Sequence, residues 1–127
     1  MNDRELLELA AKAADVELIP MQINNVAEQG DDRFIGYMTT TDGWPRGWFS
    51  PLTDDGDALR LAVKLKIDLR NFHSDEVAAQ FKLPDQPGWS EHSEDRSTDP
   101  YAATRRAIVR AAAQLTSASN EIGKEMK

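Results

Sequence analysis

The run from Trp48 to Leu65 constrains the fold more than any other stretch of the chain. An aromatic pair, Trp48-Phe49, leads through Pro51 to Thr53, Asp54, Asp55 and Asp57, and then into Ala58-Leu-Arg-Leu-Ala-Val-Lys-Leu65. Thr53 or Asp54 can accept a hydrogen bond from a free first-turn amide, and the aspartates sit at the positive end of the helix dipole. At about 100° per residue, Ala58, Leu59, Leu61, Ala62, Val63 and Leu65 cover most of the circumference and leave Asp57, Arg60 and Lys64 as a narrow polar strip. Such a helix needs cover on most sides, so the rest of the chain is expected to pack around it.

Two further helices are expected. Asp3 can cap one over about residues 3–14, with Leu6, Leu7, Leu9, Ala10, Ala13 and Ala14 on its apolar side. Asp99-Pro100 opens the other, because proline at the first helical position lacks a donor the helix does not use. That helix runs to about Ser117 and places Tyr101, Thr104, Ile108, Ala111, Ala112 and Leu115 on one face. Arg106, Arg110 and Gln114 lie opposite. Beyond Ser119 no apolar stripe remains, so one domain over 1–118 with a frayed tail over 119–127 is expected.

Between the helices, Val16 to Ile23 alternates loosely but contains Pro20, which suits an irregular segment or an edge strand. Arg33 to Thr40 is rich in aromatic and β-branched residues and reads as a strand. Thr41 to Gly47 carries the turn residues that let Trp48-Phe49 pair back or seal the sheet end. Lys66 to Phe72 alternates with period two, and Glu76 to Leu83 suits either a strand or a short helix, with a strand returning through a short turn preferred. Pro84 to Thr98 reads as the longest loop, with Trp89 its solitary anchor. The expected fold class is α+β, in the order α-β-β-α-β-β-α. Its strands form one mainly antiparallel sheet packed by helices into a sandwich. A parallel central pair bridged by the middle helix, a right-handed crossover, stays open.

The chain has 127 residues, no cysteine, two histidines and a formal net charge of -7. Disulfides and thiol catalysis are excluded, and no metal or cofactor is expected. The acidic balance argues against direct nucleic-acid binding and fits solubility first, and a basic protein partner or mimicry of nucleic-acid charge second. No stretch reaches the length of a membrane span, and Met-Asn-Asp-Arg-Glu at the start lacks the basic and apolar order of a secretory signal, which suggests a cytoplasmic protein.

No catalytic constellation emerges, and an enzyme is not expected. Asp54-Asp-Gly-Asp57 superficially resembles a calcium loop but lacks the later ligands, so capping is preferred. His73 and His92 sit in polar turns without a neighbouring nucleophile. Ser90, Ser93 and Ser97 lack a strand-to-helix elbow. Binding is the better expectation. Trp44 and Trp89, with Asp31, Asp32, Asp85, Glu91, Glu94 and Asp95, form the candidate partner surface, whereas Trp48 is expected to seal the core. A symmetric dimer burying Trp44 or Trp89 is a further expectation. In a different class, Trp48 with Arg105, Arg106 and Arg110 could hold a phosphorylated ligand or nucleotide.

Three blocks taken together carry a family resemblance: Leu6 to Ala14, the run from Trp48 through Pro51 and Asp54 to Gly56-Asp-Ala-Leu-Arg-Leu-Ala62, and Asp99-Pro-Tyr-Ala-Ala-Thr-Arg-Arg106 onward to Ala113. They resemble the phage ABA sandwich domain, a group of small phage and prophage proteins. The resemblance is weak across Met21 to Gly47 and Ser74 to Thr98. It implies a compact α/β sandwich of phage origin and brings no catalytic residues. The expected function is a non-enzymatic phage accessory protein that binds a host or phage macromolecule, in the manner of an inhibitor of host defence such as an anti-CRISPR protein. A ligand sponge and a virion or assembly component are the alternatives.

Overall fold

The computed structural model describes residues 2–22, 34–44, 47–71, 76–82, 90–95 and 99–125. Three helices alternate with two groups of strands: α1 (Asp3–Ala13), β1 (Ile19–Gln22), β2 (Phe34–Met38), β3 (Trp48–Phe49), α2 (Asp55–Leu65), β4 (Asp68–Asn71), β5 (Glu76–Phe81), β6 (Ser90–Asp95) and α3 (Pro100–Glu125). The fold class is α+β, as expected. Each group contains three strands where two were expected, and the strands make two antiparallel sheets in place of one, ordered β1-β2-β3 and β4-β5-β6. No parallel pair occurs among the described strands.

The first sheet follows its sequence cues. β1 is an edge strand whose register shifts between Met21 and Gln22, two residues after Pro20. β3 pairs back on β2 with Tyr37 opposite Phe49 and Met38 opposite Trp48. The second sheet departs from expectation at β6, which occupies part of the predicted long loop. Ser90-Glu-His-Ser-Glu-Asp95 has no β-branched residue, and its strand is held by the ladder that β5 offers, from Glu76 opposite Asp95 to Phe81 opposite Ser90. A charged edge strand also discourages further pairing.

Helix ends show how local chemistry and tertiary packing divide the work. Asn2, not Asp3, caps α1, its side chain accepting from the Glu5 amide at 2.9 Å. Asp3 is freed to pair with Arg106 on α3. Asp54 caps α2, accepting from the Asp57 amide at 2.8 Å. Asp99 opens α3 by accepting from the amides of Tyr101 and Ala102. α3 continues past the expected end near Ser117 to Glu125.

α3 packs against α1, α2, β5 and β6. Its contact with α1 is built from small residues: Ala10, Ala11 and Ala14 face a helix that buries Ala107, Ala111 and Ala112. Alanine lets the two backbones approach closely. At this contact the buried Thr116 hydroxyl donates to the Leu9 carbonyl at 2.6 Å. Thr116→Val keeps the shape and loses the bond, so chemical denaturation should show a loss of about 0.5–1.5 kcal/mol. Tyr37 ties the first sheet to the same helix by donating to the Glu8 carboxylate. Burial, with that hydrogen bond second, pushes the Tyr37 hydroxyl above its ordinary pKa.

Candidate docking surface

The α2 helix is turned differently from the expectation its sequence sets. Leu61 and Ala62 enter the core, whereas Leu59 is 59 % and Val63 70 % exposed. Cover on most sides is therefore corrected to cover on one side. The polar strip is corrected too. Asp57 is only 4 % exposed, because its carboxylate accepts from the Ser50 amide at 2.8 Å and from the Arg60 guanidinium at 2.8 Å. The turn before α2 thus needs an acceptor inside, and the helix rotates to supply it. Burial pushes the Asp57 carboxyl above the usual Asp range, with the Ser50 amide pulling it back and the Asp54 charge pushing it further.

Gly56 makes room for this arrangement. A Cβ there would sit 3.0 Å from the Arg60 guanidinium and 3.2 Å from the Asp54 carboxylate, so the arginine folds over a bare first turn. Trp48, Ser50, Asp54, Asp57 and Arg60 line a polar hollow of about 510 Å³. Both Asp57 oxygens already accept hydrogen bonds, and the Asp54 carboxylate is engaged in capping. The carboxylates that line the hollow thus hold the entry of α2 together.

Apolar grooves flank Leu59 on either side. One, of about 290 Å³, lies between Leu59, Leu69, Tyr101 and Ile108. The other, of about 380 Å³, lies between Trp44, Leu59 and Val63, edged by Asp42, Arg60 and Lys64. Leu69 and Tyr101 are themselves exposed, so four large apolar side chains from α2, β4 and α3 stand at one surface. A soluble monomer rarely leaves such residues contiguous, and rims of charge around them characterise interaction sites.

The residues singled out from sequence are distributed differently. Trp44 and Trp48 exchange the places expected of them. Trp44 is buried edge-on against Phe49, with ring centroids 5.0 Å apart at 66°, and Trp48 is 39 % exposed. The fold itself already covers most of the Trp44 ring. Trp89, Asp31, Asp32, Asp85 and His73 lie outside the described residues, as does the His92 side chain. Glu94 is spent within the fold, pairing with Arg110 on α3. Glu91 accepts from Gln80 and Ser93 on the exposed side of the second sheet, and Asp95 stands exposed at the end of β6 with an interaction of its own.

The phosphate-binding set does not converge. Arg105 donates to the Leu52 carbonyl at 2.9 Å and to Asp55 at 2.6 Å, which fastens α3 to the entry of α2. Arg106 pairs with Asp3 at 2.8 Å and Arg110 with Glu94, so the three arginines bind three different elements. Trp48 faces a hollow that none of them lines. Among the described residues no helix is long and apolar enough to cross a membrane.

Comparison with protein-family models, with curated proteins and with solved structures finds no match to this chain. Leu59, Val63, Leu69 and Tyr101 were absent from the sequence-derived surface. The signal for the α2 pair was an apolar arc wider than the stripe of roughly 100° that one-sided packing requires.

Proposed function

We propose that this chain is a non-catalytic binding protein that captures a protein partner on the outer face of α2. The observation that carries the reading is the exposure of Leu59 and Val63 beside two apolar grooves. A helix or loop of the partner would lay one apolar ridge in each groove, with Leu59 between them as the central contact. The rim offers Asp42, Asp55, Arg60 and Lys64 for orientation, and such rim charges set specificity and on-rate more than affinity.

The three sequence blocks that resemble phage sandwich proteins support a role as a phage or prophage accessory protein. A host defence component is then the natural partner, in the manner of an anti-CRISPR inhibitor. With a net charge of -7 and Arg4, Arg60, Arg105, Arg106 and Arg110 held in ion pairs, the chain is poorly suited to binding nucleic-acid phosphates directly.

Affinity capture from phage-infected host cells tests the reading. A stoichiometric partner should be retained by wild-type protein and by Glu91→Gln, and lost with Leu59→Glu, Val63→Glu. Hot-spot residues at interface centres contribute about 2 kcal/mol or more, so the double charge should weaken binding by at least about thirtyfold. Equal capture by the double variant would move the interface elsewhere.

A further inference from the structure

The C-terminal ends of α1 and α2 open on one hollow of about 400 Å³ against α3. Lys12, Lys64 and Lys66 line it, over a floor of Ala13, Leu65 and Leu115, and no carboxylate is among its described lining residues. The contrast with the arginines is sharp. Arg4, Arg60, Arg105, Arg106 and Arg110 each hold a carboxylate, whereas these three lysines form no ion pair among the described residues. A protein with a surplus of acids thus gathers at one place three lysines without a carboxylate partner among the described residues.

Helix C-termini favour cations, and a lysine in the last turn offsets the exposed carbonyls of its own helix. That accounts for Lys12 and Lys64 singly, yet it leaves their convergence from two helices unexplained. Lys66, the C-cap of α2, stands at the same negative end, so that helix terminus carries two lysines. Both helices end in the same hydrogen-bond pattern. The Val16 amide reaches the Ala11 carbonyl after α1, and the Ile67 amide reaches the Ala62 carbonyl after α2. Each pattern places the preceding residue in the left-handed region, Asp15 at φ 57° and Lys66 at φ 57°. Glycine is the usual occupant there, and aspartate is tolerated because its short side chain bonds locally. Lysine has no such compensation, so the strain at Lys66 marks a side chain kept for its charge.

We propose that this hollow binds a small phosphate-bearing anion, with the ammonium groups of Lys12, Lys64 and Lys66 converging on its oxygens and its remaining body against Leu65 and Leu115. Like charges brought together repel, and a multiply charged anion turns that repulsion into binding energy. Lysine serves as a point charge toward phosphate and needs no planar bidentate geometry. The site shares Lys64 with the rim of the α2 docking face, while Lys12, Lys66, Leu65 and Leu115 lie outside that face.

Inorganic pyrophosphate is the probe. Isothermal titration at low salt should show saturable binding to wild-type protein, weakened by about tenfold or more in Lys64→Gln and in Lys66→Gly. Lys82→Gln, a change at an exposed lysine that does not line the hollow, should leave the affinity unchanged. Lys66→Gly relieves the left-handed strain, so its melting temperature should hold or rise while its affinity falls. A purely structural role for Lys66 predicts no loss of affinity. Absence of saturable binding up to about 10 mM pyrophosphate, or wild-type affinity in Lys64→Gln and Lys66→Gly, overturns the proposal.

Discussion

Phe49→Ala is expected to lower the free energy of unfolding by about 3–5 kcal/mol, the range for emptying a buried aromatic site. Phe49 is almost fully buried in a two-residue strand, opposite Tyr37 and edge-on to Trp44. Its loss removes apolar contacts and leaves a cavity that a short strand fastened at a turn cannot collapse to fill. A domain of this size has roughly 5–15 kcal/mol in total, so the variant should unfold well below the wild-type temperature or fail to fold. The neighbouring Trp48→Ala should cost only about 1–2 kcal/mol, since much of that ring is already in water. Thermal and chemical unfolding of the two variants side by side checks the contrast. A larger loss at Trp48 would reverse the assignment of which aromatic seals the core.

Asp57→Ala is expected to cost about 2–3 kcal/mol. The Ser50 amide would lose its acceptor in a buried turn, and Arg60 would lose the carboxylate that folds it over Gly56. Asp57→Asn keeps an oxygen for the amide and should cost less. The pair also gives a pH signature. Burial holds the folded carboxyl above its unfolded pKa, so the native state binds this proton more tightly than the unfolded chain does. The linked stabilisation is complete below the unfolded value and is lost as pH rises through the folded one. Relative to Asp57→Asn, which has nothing to titrate at that position, wild-type stability should therefore fall as pH climbs through this window. A relative gain on raising the pH would show that Arg60 outweighs burial.

These outcomes bear on what could be read from residues alone. Helices were legible because their cues are local: Asp54 and Asp99-Pro100 state where a helix begins, and the apolar spacing carries it on. The β2 strand and its return to β3 were legible from aromatic and β-branched content with turn residues between. β6 was not, because a strand of Ser, Glu, His and Asp exists only through the edge of β5 it completes. Trp48 is not the seal because the alternation of β3 turns its neighbour Phe49 inward, which two adjacent aromatics do not reveal, and Trp44 from the preceding turn packs on Phe49 instead. Asp57 was placed on a wet strip by helical spacing, but the Ser50 amide draws it in.

The docking surface was hidden for a related reason. An apolar arc announces that a helix wants cover without saying who provides it. The expectation that the chain itself wraps α2 put Leu59 and Val63 in the core, and the fold leaves them outside. The arginines of α3 likewise attracted a phosphate reading that their separate carboxylates remove, while Lys12 is too far in sequence from Lys64 and Lys66 for the three to read as one group.

The central claim is that Leu59 and Val63 are kept for a partner rather than for the fold. Thermal unfolding of a Leu59→Ser, Val63→Ser variant tests it most directly. Because both side chains are largely in solvent, the loss should stay below about 1 kcal/mol, roughly 3–5 °C for a domain of this size, with no change in far-ultraviolet circular dichroism. A fall of the size expected for two core positions, about 4 kcal/mol or more, would contradict it and return the α2 face to the interior of the protein.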